Sequence, residues 1–579
     1  MTEGVGAPVR VWAPNAPSVD LVVGNDRVRM DPEDGGWHRA PRQLPPGIDY
    51  AFSLDGSDPL PDPRSPWQPF GIHGPSRTVD HDAYVWSDAG WRAPPLGSGA
   101  IYEMHVGTFT PPGTFEAAIG RLGEVAELGV THIELMPVAE FSGRRGWGYD
   151  GVDLYAPHHC YGGPDGLKRL VDAAHEAGLA VILDAVYNHL GPAGNYLDRF
   201  GPYFTDRYTT PWGRAVNYDD RGSAEVRRFV IDNALMWLRD YHVDGLRLDA
   251  VHSIFDSSAI HILEELTREV HRLSLALGRP LVVTVETDRN DPRLVRSGDA
   301  GGYGVDAAWN DDFHHALHSL LTGERDGYYA DFGEMSQLAD ALEHGWVYRG
   351  DFSQGRELRH GREPTGVLGD RFIGFIQNHD QIGNRARGER IAHLVGARRA
   401  RIAAAVAITA PFVPLLFQGE EWNASTPFPY FSDHEDPELA EAVRRGRREE
   451  FASFGWRPDE IPDPQDAATF GSAVLRWDER TDGDHAEMRE WYRALLALRR
   501  STPALLDPRL SMVRCDHDAQ SGWFVMARGP IRMAFNLGSD PAVLDVDGAV
   551  LLASDSGVRR EAGRLVIPAD AVAILDAGQ

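Results

Sequence analysis

Residues 166–189 read GLKRLVDAAHEAGLAVILDAVYNH. GLKRLVDAAHEAG carries apolar residues at the three- and four-residue spacing of a helix. LAVILDAVYNH is an apolar strand that ends in polar residues. The same rhythm continues in both directions. Upstream come the strand IYEMHV, the helix FEAAIGRLGEVAELG and the strand THIELMPV. Downstream, AEVRRFVIDNALMWLRDYH and SAIHILEELTREVHRLS are helices that alternate with the strands VDGLRLDAV and PLVVTVET. The strand RFIGFIQNHD, the helix IAHLVGARRARIAAAVAITA and the strand VPLLFQGEEW follow. With one weak strand at 305–309, the strands at 101–106, 131–136, 179–186, 244–250, 280–286, 372–377 and 413–418 make eight. Strands alternating with helices of this length predict βα units and a parallel sheet. Eight of them predict the α/β class with a closed (β/α)8 TIM barrel. An open doubly wound sheet is the alternative, and no GxGxxG follows the first strand to support it.

Outside this region the period changes. Residues 8–54 read as short strands split by Pro, Gly, Asp and Asn, which predicts an N-terminal β-sandwich of Ig-like, carbohydrate-binding-module-like character. Residues 55–98 are proline-rich and read as an ordered linker that wraps onto the barrel. MVRCDH, GWFVMAR, IRMAFNL, AVLDV, AVLLAS and DAVAILDA predict an all-β C-terminal domain. The expected division is therefore 1–98, 99–500 and 501–579, with long barrel insertions at 190–222 and 323–369.

Composition removes several function classes. The chain has 579 residues and a formal charge of −29, a surface that repels nucleic acid and anionic lipid. Lys168 is the single lysine and no GxxxxGK[ST] loop occurs, so a phosphate-cradling site is not expected. Cys160 and Cys515 lie far apart and build no disulfide framework. No apolar run is long enough to span a membrane. The start MTEGVGAPVRVWAPN has no apolar stretch behind a basic end, so the expected address is the cytoplasm. Neutral or cationic small molecules and polymers remain as partners.

A barrel of this kind places its active site where the strands end. Asp184, Asn188 and His189 end one strand; Arg247, Asp249 and His252 end the next; Glu286 ends the fifth; Asn378, His379 and Asp380 end the seventh. Arg247 and Asp249 are two apart, so on a strand they share one face, and a guanidinium beside a carboxylate keeps it ionised. Glu286 follows the apolar LVVTV, a setting that raises its pKa and suits a general acid. An ionised and a protonated carboxyl across one cleft are the equipment of glycoside hydrolysis.

DAVYNH, GLRLDAVH, the Glu286 strand and QNHDQ resemble the four short blocks of the α-amylase superfamily of glycosidases. The longer stretches RRGWGYDGVDLYAPHHCYGGPDGLKRLVD, NDDFHHALHSLLTGE and PLLFQGEEWNASTPFPYFSDHEDPELAEAVRRGRR resemble, more narrowly, the maltooligosyltrehalose trehalohydrolases within it. The resemblance implies a retaining hydrolase that releases trehalose from maltooligosyltrehalose, in trehalose biosynthesis. It implies Asp249 as nucleophile, Glu286 as acid and base, and Asp380 as the residue that holds ring hydroxyls. It further implies His189 and His379 on the sugar, Arg247 positioning Asp249, and Asp184 in support. Trp147 and Tyr149 are candidates for a stacking wall, and Asp288, Asn290, His314 and His315 for hydrogen bonds to the leaving group. A glycogen branching enzyme or another α-1,4-glucan hydrolase of the same superfamily, such as a plain α-amylase, is the alternative; a non-catalytic glucan-binding barrel is a third reading. No cofactor is expected. His158, His159 and Cys160 invite a metal, but the sequence offers them no second ligand cluster at usable spacing, and no metal is expected.

Overall fold

The structure is a computed structural model that describes residues 9–452, 456–457 and 460–578. Residues 1–8, which begin the stretch read for an export signal, lie outside the described residues.

The eight strands close on one another in chain order, all parallel. They are β1 (Ile101–Met104), β2 (His132–Leu135), β3 (Ala180–Ala185), β4 (Gly245–Leu248), β5 (Val282–Val285), β6 (Ala307–Trp309), β7 (Phe372–Phe375) and β8 (Val413–Phe417). Six crossover helices cover the barrel: α1 (Phe115–Leu128), α2 (Gly163–Glu176), α3 (Ser223–Asp240), α4 (Ile262–Leu277), α5 (Asp311–Thr322) and α6 (Ile391–Thr409). A seventh, α7 (Gly483–Ser501), follows β8. Between β5 and β6 the chain makes only a 3-10 turn at Gly298–Ala300, so that repeat lacks its helix.

Strand alternation sorts the side chains. Ile101, Ile182, Ala307, Trp309, Ile373, Phe375, Val413 and Leu415 fill the lumen as one apolar cluster. Leu246 and Leu248 of β4 join the larger core outside, which leaves Gly245 and Arg247 on the lumen side. A Cβ on Gly245 would stand 2.5 Å from a Val282 methyl, so only glycine fits this layer. The barrel is therefore a packed core, and chemistry is confined to its rim.

Before the barrel, a three-stranded sheet (Arg10–Trp12, Trp37–Arg39, Asp31–Glu33) and a four-stranded sheet (Asp26–Arg29, Val19–Val23, Asp49–Leu54, Ser76–Arg77) form the β-sandwich. The proline-rich segment is tied onto the barrel. Arg64 donates to the Tyr155 hydroxyl (2.9 Å) and Asp232 (3.0 Å), and the Trp91 indole N–H donates to Asp244 (2.9 Å). After α7 come a five-stranded and a three-stranded antiparallel sheet. The latter contains Arg559–Glu561 and Arg564–Ile567, two strands with no counterpart in the sequence reading. Arg528, in the five-stranded sheet, reaches back to the carbonyls of Thr409 and Ala410 at 2.7 and 2.8 Å, fastening the C-terminal sheets to the end of α6.

Both long insertions fold into hairpins. Phe204–Thr210 pairs with Gly213–Val216 and presents Trp212 at its turn; Arg349–Ser353 pairs with Leu358–Gly361 and presents Arg356. Both cysteines are free. Among the described residues no helix is long and apolar enough to cross a membrane.

Candidate active site

The C-terminal rim opens into a cavity of about 510 Å³ whose wall includes Asp249, Glu286, Asp380, Arg247, His189 and His379. Its centre is a single buried guanidinium. Arg247 Nη1 donates to Asp184 Oδ2 at 2.7 Å and to Asp249 Oδ1 at 2.8 Å, and Nη2 lies 3.7 Å from Glu286 Oε2. The Arg247 guanidinium rests on the Trp309 ring, 4.4 Å from its centroid, so the lumen residue beneath it fixes its plane.

The two carboxyls on this arginine are driven in opposite directions. Burial alone would raise the Asp249 pKa. The Arg247 charge, His189 and the Asn188 amide together outweigh it and hold Asp249 below the usual carboxylate range. Asn188 Nδ2 donates to Asp249 Oδ2 (2.7 Å), so with Arg247 on Oδ1 both oxygens are hydrogen-bonded. Burial pushes Glu286 well above its ordinary value. Arg247 opposes this, but Asp249, Asp311 and Asp380 add to it. Glu286 Oε2 accepts the backbone N–H of Ala250 at 2.6 Å. Ala250 adopts φ 38°, ψ 49°, a left-handed conformation that costs a residue with a Cβ roughly 1–2 kcal/mol. That strained residue immediately follows Asp249 and ties its backbone to the second carboxyl.

Asp184 is buried behind this pair. Its pKa is raised to about 6, burial outweighing Arg247. It accepts from the Tyr149 hydroxyl at 2.6 Å, and the same hydroxyl lies 2.7 Å from His379 Nε2. His379 Nδ1 in turn bonds Glu103, a carboxylate at the end of β1, whose charge overcomes burial and raises the histidine's pKa. A chain of contacts thus runs Glu103, His379, Tyr149, Asp184, Arg247, Asp249. Burial lowers the His189 pKa, and its Nε2 is 3.0 Å from the Tyr149 carbonyl. Asp380 is the second residue of the short helix His379–Gly383 and accepts from Asn384 at 2.7 Å.

Trp147 is both core and wall. Its ring stacks on Phe428 (5.4 Å, 19°) while its rim borders the cavity. A Cβ on Gly383 would come within 1.9 Å of that indole, so glycine three residues after Asp380 is a packing requirement. Four expected residues are not brought into this cavity. Asp288 pairs with Arg356 of the second insertion at 2.7 Å. Asn290 is buried and donates to Asp312 at 2.8 Å. His314 donates through Nδ1 to the Ile376 carbonyl at 2.7 Å, and His315 lies against Tyr328. These four hold the second insertion onto the barrel. A polar pair at the start of a helix looks the same in sequence whether it faces a ligand or a covering loop.

Other wall residues escaped the sequence reading. Trp212, half exposed on its hairpin turn, stacks on His189 (4.5 Å, 11°). Asp150, Asn384, Tyr430 and Arg447 also line the cavity. Tyr430 and Arg447 belong to the segment after β8, where nothing in the local pattern marks them. Glu103 was legible as an acid within the strand IYEMHV, whose alternation turns it inward.

Comparison with known proteins bears on this geometry. The family model for the alpha amylase catalytic domain matches residues 77–208, and a domain of unknown function (DUF3459) matches residues 508–574. A malto-oligosyltrehalose trehalohydrolase from Arthrobacter ramosus is 48% identical over 94% of this chain and 95% of its own. One from Mycobacterium tuberculosis is 46% identical over 95% and 96%. A crystal structure from Salmonella typhimurium, whose name places it with the alpha amylases, superposes over the full length of both chains with a TM-score of 0.92 at 39% identity. The chain belongs to the malto-oligosyltrehalose trehalohydrolase family of the α-amylase superfamily of glycoside hydrolases.

Proposed function

We propose that this enzyme hydrolyses the α-1,4-glucosidic bond that joins a maltooligosaccharide to a terminal trehalose, by double displacement at Asp249 and Glu286. The observation that carries this reading is the shared guanidinium. Arg247 contacts two carboxyls of the cavity wall whose surroundings shift their pKa values in opposite directions, Asp249 down and Glu286 up. That is the division of labour between nucleophile and acid.

In the first half-reaction an Asp249 oxygen attacks the anomeric carbon of the sugar bonded to trehalose. The C–O bond to trehalose breaks, and its oxygen takes the Glu286 proton, so trehalose leaves neutral. In the second, Glu286, now a carboxylate, accepts a proton from water as that water attacks the same carbon and frees Asp249. The maltooligosaccharide departs with retained configuration. Asp380, His189 and His379 hold ring hydroxyls beside this carbon, and Trp147, Tyr149 and Trp212 supply apolar faces for the sugar rings. Asp184 acts through Arg247. Retention requires the Asp249 and Glu286 carboxyls roughly 5 Å apart, a spacing that one guanidinium between them favours.

Product analysis on maltotriosyltrehalose tests the reading. Free trehalose and maltotriose in equal amounts are expected. An inert substrate overturns it. A change in the iodine colour of amylose without trehalose release assigns the site to chain transfer instead.

A further inference from the structure

Some distance along the chain from the catalytic carboxyls, the 3-10 turn at His159–Tyr161 gathers His158, His159 and Cys160, and one donor atom of each lies within 4.8 Å of the others. Their contiguity argued against a metal in sequence, because no second cluster was in reach. The fold supplies the missing partner. Glu140, on the short strand that pairs with Asp153–Pro157, is fully buried, and its Oε1 sits 3.1 Å from His158 Nδ1 and 2.7 Å from His159 Nδ1. Its other oxygen accepts the His159 backbone N–H at 2.7 Å.

We propose that His158, His159 and Cys160 form a zinc site, with Glu140 orienting both imidazoles. A carboxylate that engages Nδ1 of a histidine leaves Nε2 to ligate, the arrangement usual around metal-bound imidazole. His159 Nε2 already faces Cys160 Sγ at 3.2 Å. His158 Nε2 is buried with no hydrogen-bond partner. Two imidazoles and a thiolate are a borderline-soft set that suits zinc, whose bonds of about 2.0–2.3 Å bring neighbouring ligand atoms close to the separation already present between His159 Nε2 and Cys160 Sγ. Entry of the ion replaces the His159–Cys160 hydrogen bond with two metal bonds and releases the protons held on the donor atoms. His159 and Cys160 are partly exposed, so the fourth position is open to water.

The position gives the site a consequence. Glu140 and His158 flank the loop 141–152, which carries Trp147 and Tyr149 to the catalytic cavity. The His158 ring stacks on Phe141 at 3.9 Å. A bound ion would pin both ends of that loop.

The test uses the untagged full chain, stripped with EDTA and titrated with Zn2+ against a chromophoric chelator of micromolar affinity. One equivalent per chain is expected. Cys160→Ser and His159→Gln should each weaken binding at least tenfold, and Glu140→Gln about 10- to 100-fold. Cys515→Ser should bind like the wild type. Hydrolysis by Cys160→Ser at the EDTA-treated wild-type rate shows that the variant is folded. On the wild type, zinc should slow iodoacetamide alkylation of Cys160 by at least the same tenfold factor. Absence of stoichiometric zinc at micromolar concentration, binding undiminished in Cys160→Ser and His159→Gln, or alkylation indifferent to zinc overturns the proposal.

Discussion

Replacing Arg247 with glutamine removes a cation that faces both Asp249 and Glu286 while keeping a polar, uncharged side chain of similar reach. In the wild type this guanidinium is 2.8 Å from Asp249 and 3.7 Å from Glu286, and it lowers the pKa of both. An adjacent arginine depresses a carboxyl pKa by roughly 1–3 units, and each unit is about 1.4 kcal/mol between the two protonation states. Without it the acid limb of the kcat/KM profile, set by Asp249, should move up by about 1–3 units, and the basic limb, set by Glu286, should move the same way. If the acid limb reaches about pH 6, the variant at pH 5 keeps roughly a tenth of its plateau activity, where the wild type is undiminished. The assay is trehalose release from maltotriosyltrehalose between pH 3 and 10. Stability follows the same sign. A depressed carboxyl contributes stability above its unfolded pKa and loses it as pH falls through the lower folded value. Arg247→Gln should therefore cost about 3–5 kcal/mol near neutrality, and the gap to wild type should narrow in strong acid, once Asp249 is protonated in both. A folded variant whose two limbs stay at the wild-type pH while only the amplitude falls would refute the reasoning.

Asp249→Asn and Glu286→Gln should each lower turnover by several orders of magnitude with an unchanged circular dichroism spectrum; activity in either variant equal to wild type removes that residue from the mechanism. Proton NMR of the first-formed maltooligosaccharide should show the α anomer, and the β anomer would mean direct attack by water. Trp212→Ala deletes the aromatic wall stacked on His189. An aromatic contact worth about 0.5–1.5 kcal/mol predicts a KM increase of roughly 3- to 10-fold with kcat little changed. Arg528→Met removes the donor from the carbonyls of Thr409 and Asp507 and one of the two arginine donors from the carbonyl of Ala410. It should lower stability by about 2–4 kcal/mol in thermal or urea unfolding, with KM unaffected.

The barrel was legible because each of its strands is buried on both faces and each of its covering helices on one, and both states write a period into the residues. The reading of LAVILDA as a strand rests on that, and β3 spans Ala180–Ala185. The weak strand expected at 305–309 survives as only Ala307–Trp309. Its neighbour β5 returns without a helix, a connection no periodicity could announce. The rim was legible for a related reason. A polar residue that ends an apolar run stands where the strand leaves the core, so Asp249, Glu286 and Asp380 were marked by position alone. His314 and His315 were marked in the same way and are packed under the second insertion instead, against Tyr329 and Tyr328.

Local pattern in the chain determined the α/β class, the order of strands and the place of Asp249 and Glu286 on the barrel rim, because hydrophobic periodicity and the ends of buried runs are properties of neighbours in sequence. Tertiary structure alone decided what surrounds them. Trp212 meets His189 from the turn of a hairpin, Glu103 on β1 meets His379 after β7 across the intervening β8, and Glu140 meets His158 across a loop. Each pairing joins segments whose separation along the chain carries no information about their distance in space, and it is these contacts that set the charge of each group and the shape of the cavity.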